Sequence, residues 1–113
     1  MKEYLYLFRG GLHYDGSASP EELQANMQKW KTWMDGLAKA GKLGGGERLN
    51  PDGATIKGAE RQVVDGPYAE AKEIIGGYIL VKTESKQEAI ELAKGCPIFE
   101  NDGEVEVREV AKM

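Results

Sequence analysis

An α+β fold is what this sequence predicts, and three observations predict it. Two segments share one helix-opening grammar, a Ser followed three residues later by a Glu: Ser19 with Glu22, and Ser85 with Glu88. Both segments lie between stretches with strand patterning. The chain closes on strict alternation, "EVEVREV", which places Val105 and Val107 on one face and Glu104, Glu106 and Arg108 on the other.

Each element has its own local reason. "EYLYLFR", residues 3–9, is aromatic on one face (Tyr4, Tyr6, Phe8) and aliphatic on the other (Leu5, Leu7), so it reads as a central strand. "GGLHYDGSA" then breaks the pattern as a loop. Ser19 caps the first helix, with Pro20 at its first position and Gly41 as a left-handed stop. Leu23, Met27, Trp30, Met34 and Leu37 recur three and four apart, a stripe expected to face a sheet. One stripe is too narrow for both Trp30 and Trp33, so one is expected in the core and the other at a pocket or a subunit contact.

"LGGGERL" reads as a short strand in which Gly44–Gly46 mark a bulge or a close backbone approach. A phosphate-binding reading fails there, because Lys42 precedes the glycines and no Gly-Lys-Ser/Thr opens a helix. "ATIKG" and "RQVV" flank Gly58-Ala59-Glu60, a three-residue connection expected in an arm or edge hairpin. "GGYILVKT" is a strand. The second helix runs from Ser85 to a stop at Gly95, with Pro97 beyond it.

The order strand, helix, strand, hairpin, strand, helix, strand matches the split βαβ, ferredoxin-like plan with a hairpin between its halves. Two helices cover one sheet face and leave the other bare, which predicts a homodimer that pairs sheet against sheet.

At 113 residues the chain is a single domain, 1–113, with no room for a separate cofactor domain, and no cofactor is expected. A net charge of −4 without any basic run argues against nucleic acid or an anionic membrane surface as partner. No apolar stretch approaches the ~20 residues of a membrane span, and the opening "MKEYLYLFRGG" lacks a long signal-peptide core, so a cytoplasmic location is expected. Cys96 is the only cysteine and allows no internal disulfide. With one His and one Cys no zinc set can form, and no metal is expected.

The candidate chemistry centres on "VVDGPYAEAKEIIGGY", residues 63–78. Asp65 before Gly66-Pro67 suits an Asx-type turn, with Gly66 held extended by the proline. Near aromatic side chains the same carboxylate would serve as a general base or acid. His13 titrates near neutrality and lies in the loop after the first strand, within reach of a pocket mouth; a solvated loop His is the plainer alternative. Arg9, Trp30, Tyr68 and Lys72 are the residues expected to bind a ligand, Arg9 and Lys72 by steadying negative charge. Lys72 also fits a merely solvated charged run. Cys96 follows the negative end of a helix, which disfavours a thiolate, and reads as a small buried hydrophobe.

The run Val64-Asp65-Gly66-Pro67-Tyr68-Ala69-Glu70-Ala71-Lys72-Glu73, then Gly76-Gly77-Tyr78, Ala93-Lys94-Gly95-Cys96-Pro97 and Val105-Glu106-Val107-Arg108, resembles the DGPF subgroup of the YCII-related family. Leu43–Glu47 and the Trp-bearing helix extend the resemblance over nearly the whole chain, with Tyr68 in place of the usual Phe. The resemblance implies a ferredoxin-like dimeric α+β barrel. In the wider family a His and an Asp that meet in a cleft are the suspected engine. Asp65 matches that Asp, but the helix His has no counterpart, since the region reads "MQKWKTW" with Gln28 and Lys29. Some members lie beside sigma factors of the extracytoplasmic-function type, which implies a regulatory partner.

Two functions follow. One is a dimeric module that binds a small organic ligand or regulates a sigma factor. The other is a cofactor-free enzyme on a small organic substrate, cyclic ones included, with acid/base chemistry at Asp65.

Overall fold

The computed structural model describes residues 1–11, 17–66 and 74–112. Among them the chain forms β1 (Lys2–Arg9), α1 (Pro20–Lys39), β2 (Leu43–Arg48), β3 (Ala54–Lys57), β4 (Gln62–Asp65), β5 (Ile75–Thr83), α2 (Lys86–Ala93), a 3-10 turn at Pro97–Asn101, and β6 (Glu104–Glu109).

Both helices open where their caps put them. The Ser19 hydroxyl accepts the Glu22 N–H at 3.1 Å, and the Ser85 hydroxyl accepts the Glu88 N–H at 3.1 Å. Each satisfies one of the donors that a helix start leaves without a partner. The Glu88 carboxylate accepts the Glu84 N–H at 2.9 Å and the Lys42 ammonium at 3.0 Å, and these two bonds hold its carboxyl below the usual range. α1 ends in a Schellman motif: Gly41 takes φ +73°, its N–H reaches the Ala38 carbonyl at 3.0 Å, and the Lys42 N–H reaches that of Leu37 at 2.9 Å.

α2 ends differently from the expected left-handed stop. Gly95 stays out of the positive-φ region, and its N–H bonds the Leu92 carbonyl while Cys96 bonds that of Ala93. The helix therefore tightens towards the 3-10 turn that Pro97 starts. Gly95 is small for another reason: a Cβ there would lie 3.3 Å from Trp33 Nε1.

The main sheet has the order β2-β5-β1-β6, and all three pairings are antiparallel. Each helix thus links two strands that flank a third, so the two halves of the chain interleave in one sheet. Tyr4, Tyr6 and Phe8 of β1, with Ile79 and Val81 of β5, form its inner face and pack with Leu37, Ala89, Ala93, Cys96 and Ile98. Val105 and Val107 of β6 turn the same way.

The stripe on α1 is offset from its expected position. Leu37 is buried and Trp30 and Met34 pack on the core, but Met27 is 57% exposed while Asn26 is buried. The buried line runs Asn26, Trp30, Trp33, Leu37, which is also spaced four, three, four, so periodicity alone does not choose between it and the neighbouring line. Both tryptophans join the core. Trp33 stacks on Tyr6 with ring centroids 6.3 Å apart, and Trp30 meets Phe8 edge-on at 5.0 Å.

In β2 the register slips between Leu43 and Gly45, the expected bulge. Gly46 supplies the close approach, since a Cβ there would overlap the Tyr78 carbonyl oxygen and the Ile79 backbone. β3 and β4 pair only with each other, in register from Ala54↔Asp65 to Lys57↔Gln62. Their connection has four residues, not three, because Arg61 adopts φ +55° and bonds back to the Gly58 carbonyl at 3.0 Å. Among the described residues no helix is long and apolar enough to cross a membrane.

Candidate functional site

Three segments converge at one end of the main sheet. β1 leaves it at Arg9, whose register partners are Ile75 on β5 and Glu104 on β6. β5 enters there, and the Leu49 N–H, just past β2, bonds the Gly76 carbonyl at 2.9 Å. The root of the β3–β4 hairpin, the exit of β1 and the entry of β5 therefore lie side by side, as the interleaved topology requires.

Arg9 is the charged anchor of this end. Its guanidinium meets Glu106 at 2.7 Å on the sheet face away from the helices, with the Arg9 side chain only 21% exposed. Partial burial keeps such a pair less screened than a surface pair and orients the guanidinium along the sheet. An anionic ligand would find one paired cation here, with Glu104 beside it.

Asp65 lies at the base of the hairpin, exposed, on the same face as Ala54, Ile56 and Val63. Among the described residues none bonds its carboxylate. The residues past Gly66 that an Asx-type turn would bond lie outside the described residues, and the described backbone around Asp65 closes the hairpin. The Gly66 N–H reaches the Gly53 carbonyl at 2.6 Å, and the Thr55 hydroxyl donates to the Gly66 carbonyl at 3.0 Å. Gly66 holds φ +75° rather than an extended conformation, which lets its N–H turn back across the hairpin base.

Trp30 packs edge-on against Phe8 and Trp33 at the core, under the helices. His13, Tyr68 and Lys72 lie outside the described residues. The structure thus brings Arg9 to the sheet end and Asp65 to the hairpin base, and it sets Trp30 on the opposite, helix-covered face. Glu106 joins Arg9 in a way the alternation of β6 hid, since an outward Glu reads as a solvated residue.

Two open depressions lie elsewhere, along α1. Pro20, Leu23, Met27 and Lys31 line one, and Trp33, Gly95 and Glu100 line the other. Among the described residues no group of three His, Cys, Asp or Glu side chains is placed to hold a metal ion.

Cys96 is buried at 4% exposure, and burial pushes its thiol up to about 12. A thiol with that environment is a packing group at neutral pH. Iodoacetamide at pH 8 should label the native protein roughly a thousandfold more slowly than the urea-unfolded chain, from the difference in thiolate fraction. Equal rates would place Cys96 in an accessible, ionisable setting.

Comparison with known proteins shows what this arrangement belongs to. The YCII-related domain matches residues 11–113. The chain belongs to the YCII-related family. An uncharacterised protein of Rhizobium meliloti (strain 1021) is 35% identical over 98 residues, which cover 82% of this chain and 79% of that one. Among solved structures, the chain resembles a 5-chloro-2-hydroxyhydroquinone dehydrochlorinase of Burkholderia phenoliruptrix AC1100 in complex with 2,5-dihydroxybenzoquinone. The match covers 98% of this chain and 95% of that one at 16% identity, with a TM-score of 0.48.

Proposed function

We propose that this YCII-related protein is a dimeric module of the DGPF subgroup, a ferredoxin-like α+β barrel built from two chains, that binds a small organic ligand at the arm end of its sheet. The open sheet face carries this reading. Leu5 and Leu7 of β1 stand opposite Leu80 and Tyr78 of β5, a four-residue apolar block, half-buried, that neither described helix covers. Around it Glu47, Glu104 and Glu106 are interspersed with Arg9, Lys82 and Arg108. A face of one charge sign would repel its own copy, whereas mixed signs let a two-fold axis bring opposite charges together.

The ligand would sit where Arg9 and the hairpin root meet, with Arg9 held by Glu106 as an orienting cation. A regulatory partner of the sigma-factor type would read the same dimer. The exposed Asp65 carboxylate, which no described residue bonds, supports the enzymatic reading, in which it moves a proton on a small organic substrate.

Light scattering coupled to gel filtration tests the dimer. Wild type should run at twice its 12.4 kDa chain mass, and Leu7→Arg, which puts a charge into the apolar block, should run as a single chain. A single-chain mass for wild type at high micromolar concentration would end the proposal. Thermal-shift screening with small aromatic acids, phenols and lactones tests the site, since a ligand bound only by the folded state raises Tm. Stabilisation lost in Asp65→Asn would assign the carboxylate to the site, and stabilisation kept in Asp65→Asn would remove Asp65 from it.

A further inference from the structure

We propose that the β3–β4 hairpin is a dimerisation arm, whose face carrying Ala54, Ile56, Val63 and Asp65 docks on a second copy of this chain. The inference rests on the sheet-paired dimer above and adds a second contact to it.

A hairpin of two short strands is marginal in water without something to pack against. Among the described residues this one pairs with no other strand, and its base is tied by the Gly66–Gly53 and Thr55–Gly66 bonds. Its two faces differ in kind. Thr55 and Val64 are partly buried, while Ile56 and Val63 face each other directly across the ladder at 67% and 62% exposure. Leu49, at the arm's root, is exposed as well at 42%. An apolar cross-strand pair that gains from being covered is here turned to water, so the single chain leaves the arm half finished.

The dimensions say what is missing. A compact domain of this length has a radius of gyration of ~13 Å, whereas the chain measures 15.5 Å and spreads over 45 × 44 × 19 Å. The molecule is a slab with material extended in its plane. The bare sheet face is too small alone: four strands ~4.8 Å apart, averaging about 7 residues at ~3.3 Å, cover roughly 450 Å². A stable interface needs ~800 Å² per partner. An apolar arm beside the bare face supplies further area on the same side of the assembly problem. Two-fold symmetry makes the contact reciprocal, each arm reaching the other chain. Because Asp65 shares the docking face, its carboxylate is covered only in the pair, and the candidate site is complete only there.

Sedimentation equilibrium on the full chain tests the arm, with wild type, Leu7→Arg and the double variant Ile56→Glu, Val63→Glu compared. The double variant should weaken dimerisation at least a hundredfold with the far-UV spectrum of the sheet and helices unchanged. A wild-type dimerisation constant in that variant, with Leu7→Arg dissociated, would overturn the arm while leaving the sheet dimer standing. Dissociation by the arm variant alone, with Leu7→Arg still paired, would overturn the sheet-paired reading and with it the arm as a second contact. Amide exchange needs no variant. Exchange at Ile56 and Val63 should slow as wild-type concentration rises through the dimerisation range, and rates independent of concentration would overturn the arm contact.

Discussion

Tyr6→Ala should cost about 3–5 kcal/mol, the range for removing a large aromatic side chain from a core. Tyr6 is fully buried at the centre of β1 and stacks on Trp33 with an interplanar angle of 16°. It also meets Phe8 edge-on at 6.4 Å, and its hydroxyl donates to the Ala89 carbonyl, tying the central strand to α2. Burial pushes its phenol up to about 12, so the hydroxyl remains a donor throughout the ordinary pH range. Tyr6→Phe keeps the ring and removes only that bond, so its cost should be ~1 kcal/mol. Against a total of ~5–15 kcal/mol for a domain, the first substitution threatens folding and the second does not. Urea titrations with unchanged slope measure both. A Tyr6→Ala midpoint within ~1 kcal/mol of wild type would mean that the aromatic cluster is not the centre of the core.

Gly46→Ala should be nearly as damaging, at ~3 kcal/mol, the upper end for forced overpacking. The added methyl would overlap the Tyr78 carbonyl oxygen and the Ile79 backbone. Backbone atoms within a paired strand cannot swing aside as a flexible side chain can, so β2 must separate from β5. Gly53→Ala is the control, because its methyl would meet nothing within 4 Å. Equal midpoints for the two variants would show that β2 yields without loss and that the close approach at Gly46 carries no packing constraint.

The elements were legible wherever their cause lies within a few residues. Ser19 with Glu22 and Ser85 with Glu88 start the helices because a cap is a contact over three residues, and Gly41 stops α1 for the same reason. Alternation sorts the two faces of β1 and β6, and packing then decides that the aromatic face of β1 and the valine face of β6 turn inward. Gly95 shows the limit of local grammar: the Gly-Cys-Pro sequence looks like a stop, yet the glycine is small because Trp33, far away in sequence, lies against it.

The site was less legible, for a related reason. Asp65 was singled out by Asp-Gly-Pro, but its surroundings depend on which hairpin face it shares and on what covers that face. Arg9 stands out in the sequence as a cation that could steady negative charge, whereas its bond to Glu106 spans 97 residues and exists only because β6 pairs with β1. Trp30 and Trp33 could not be divided between core and pocket from their spacing, since the sheet beneath α1 accepts both rings.

Helix caps, the alternation of strand faces and the order of helices and strands were written in the chain, because propensity and periodicity act over short distances. The offset of α1, the use of Gly46 and Gly95, the Arg9–Glu106 pair and the exposed face of the arm belong to the folded molecule. Each depends on two segments remote in sequence meeting at a particular register, and no local pattern carries that register.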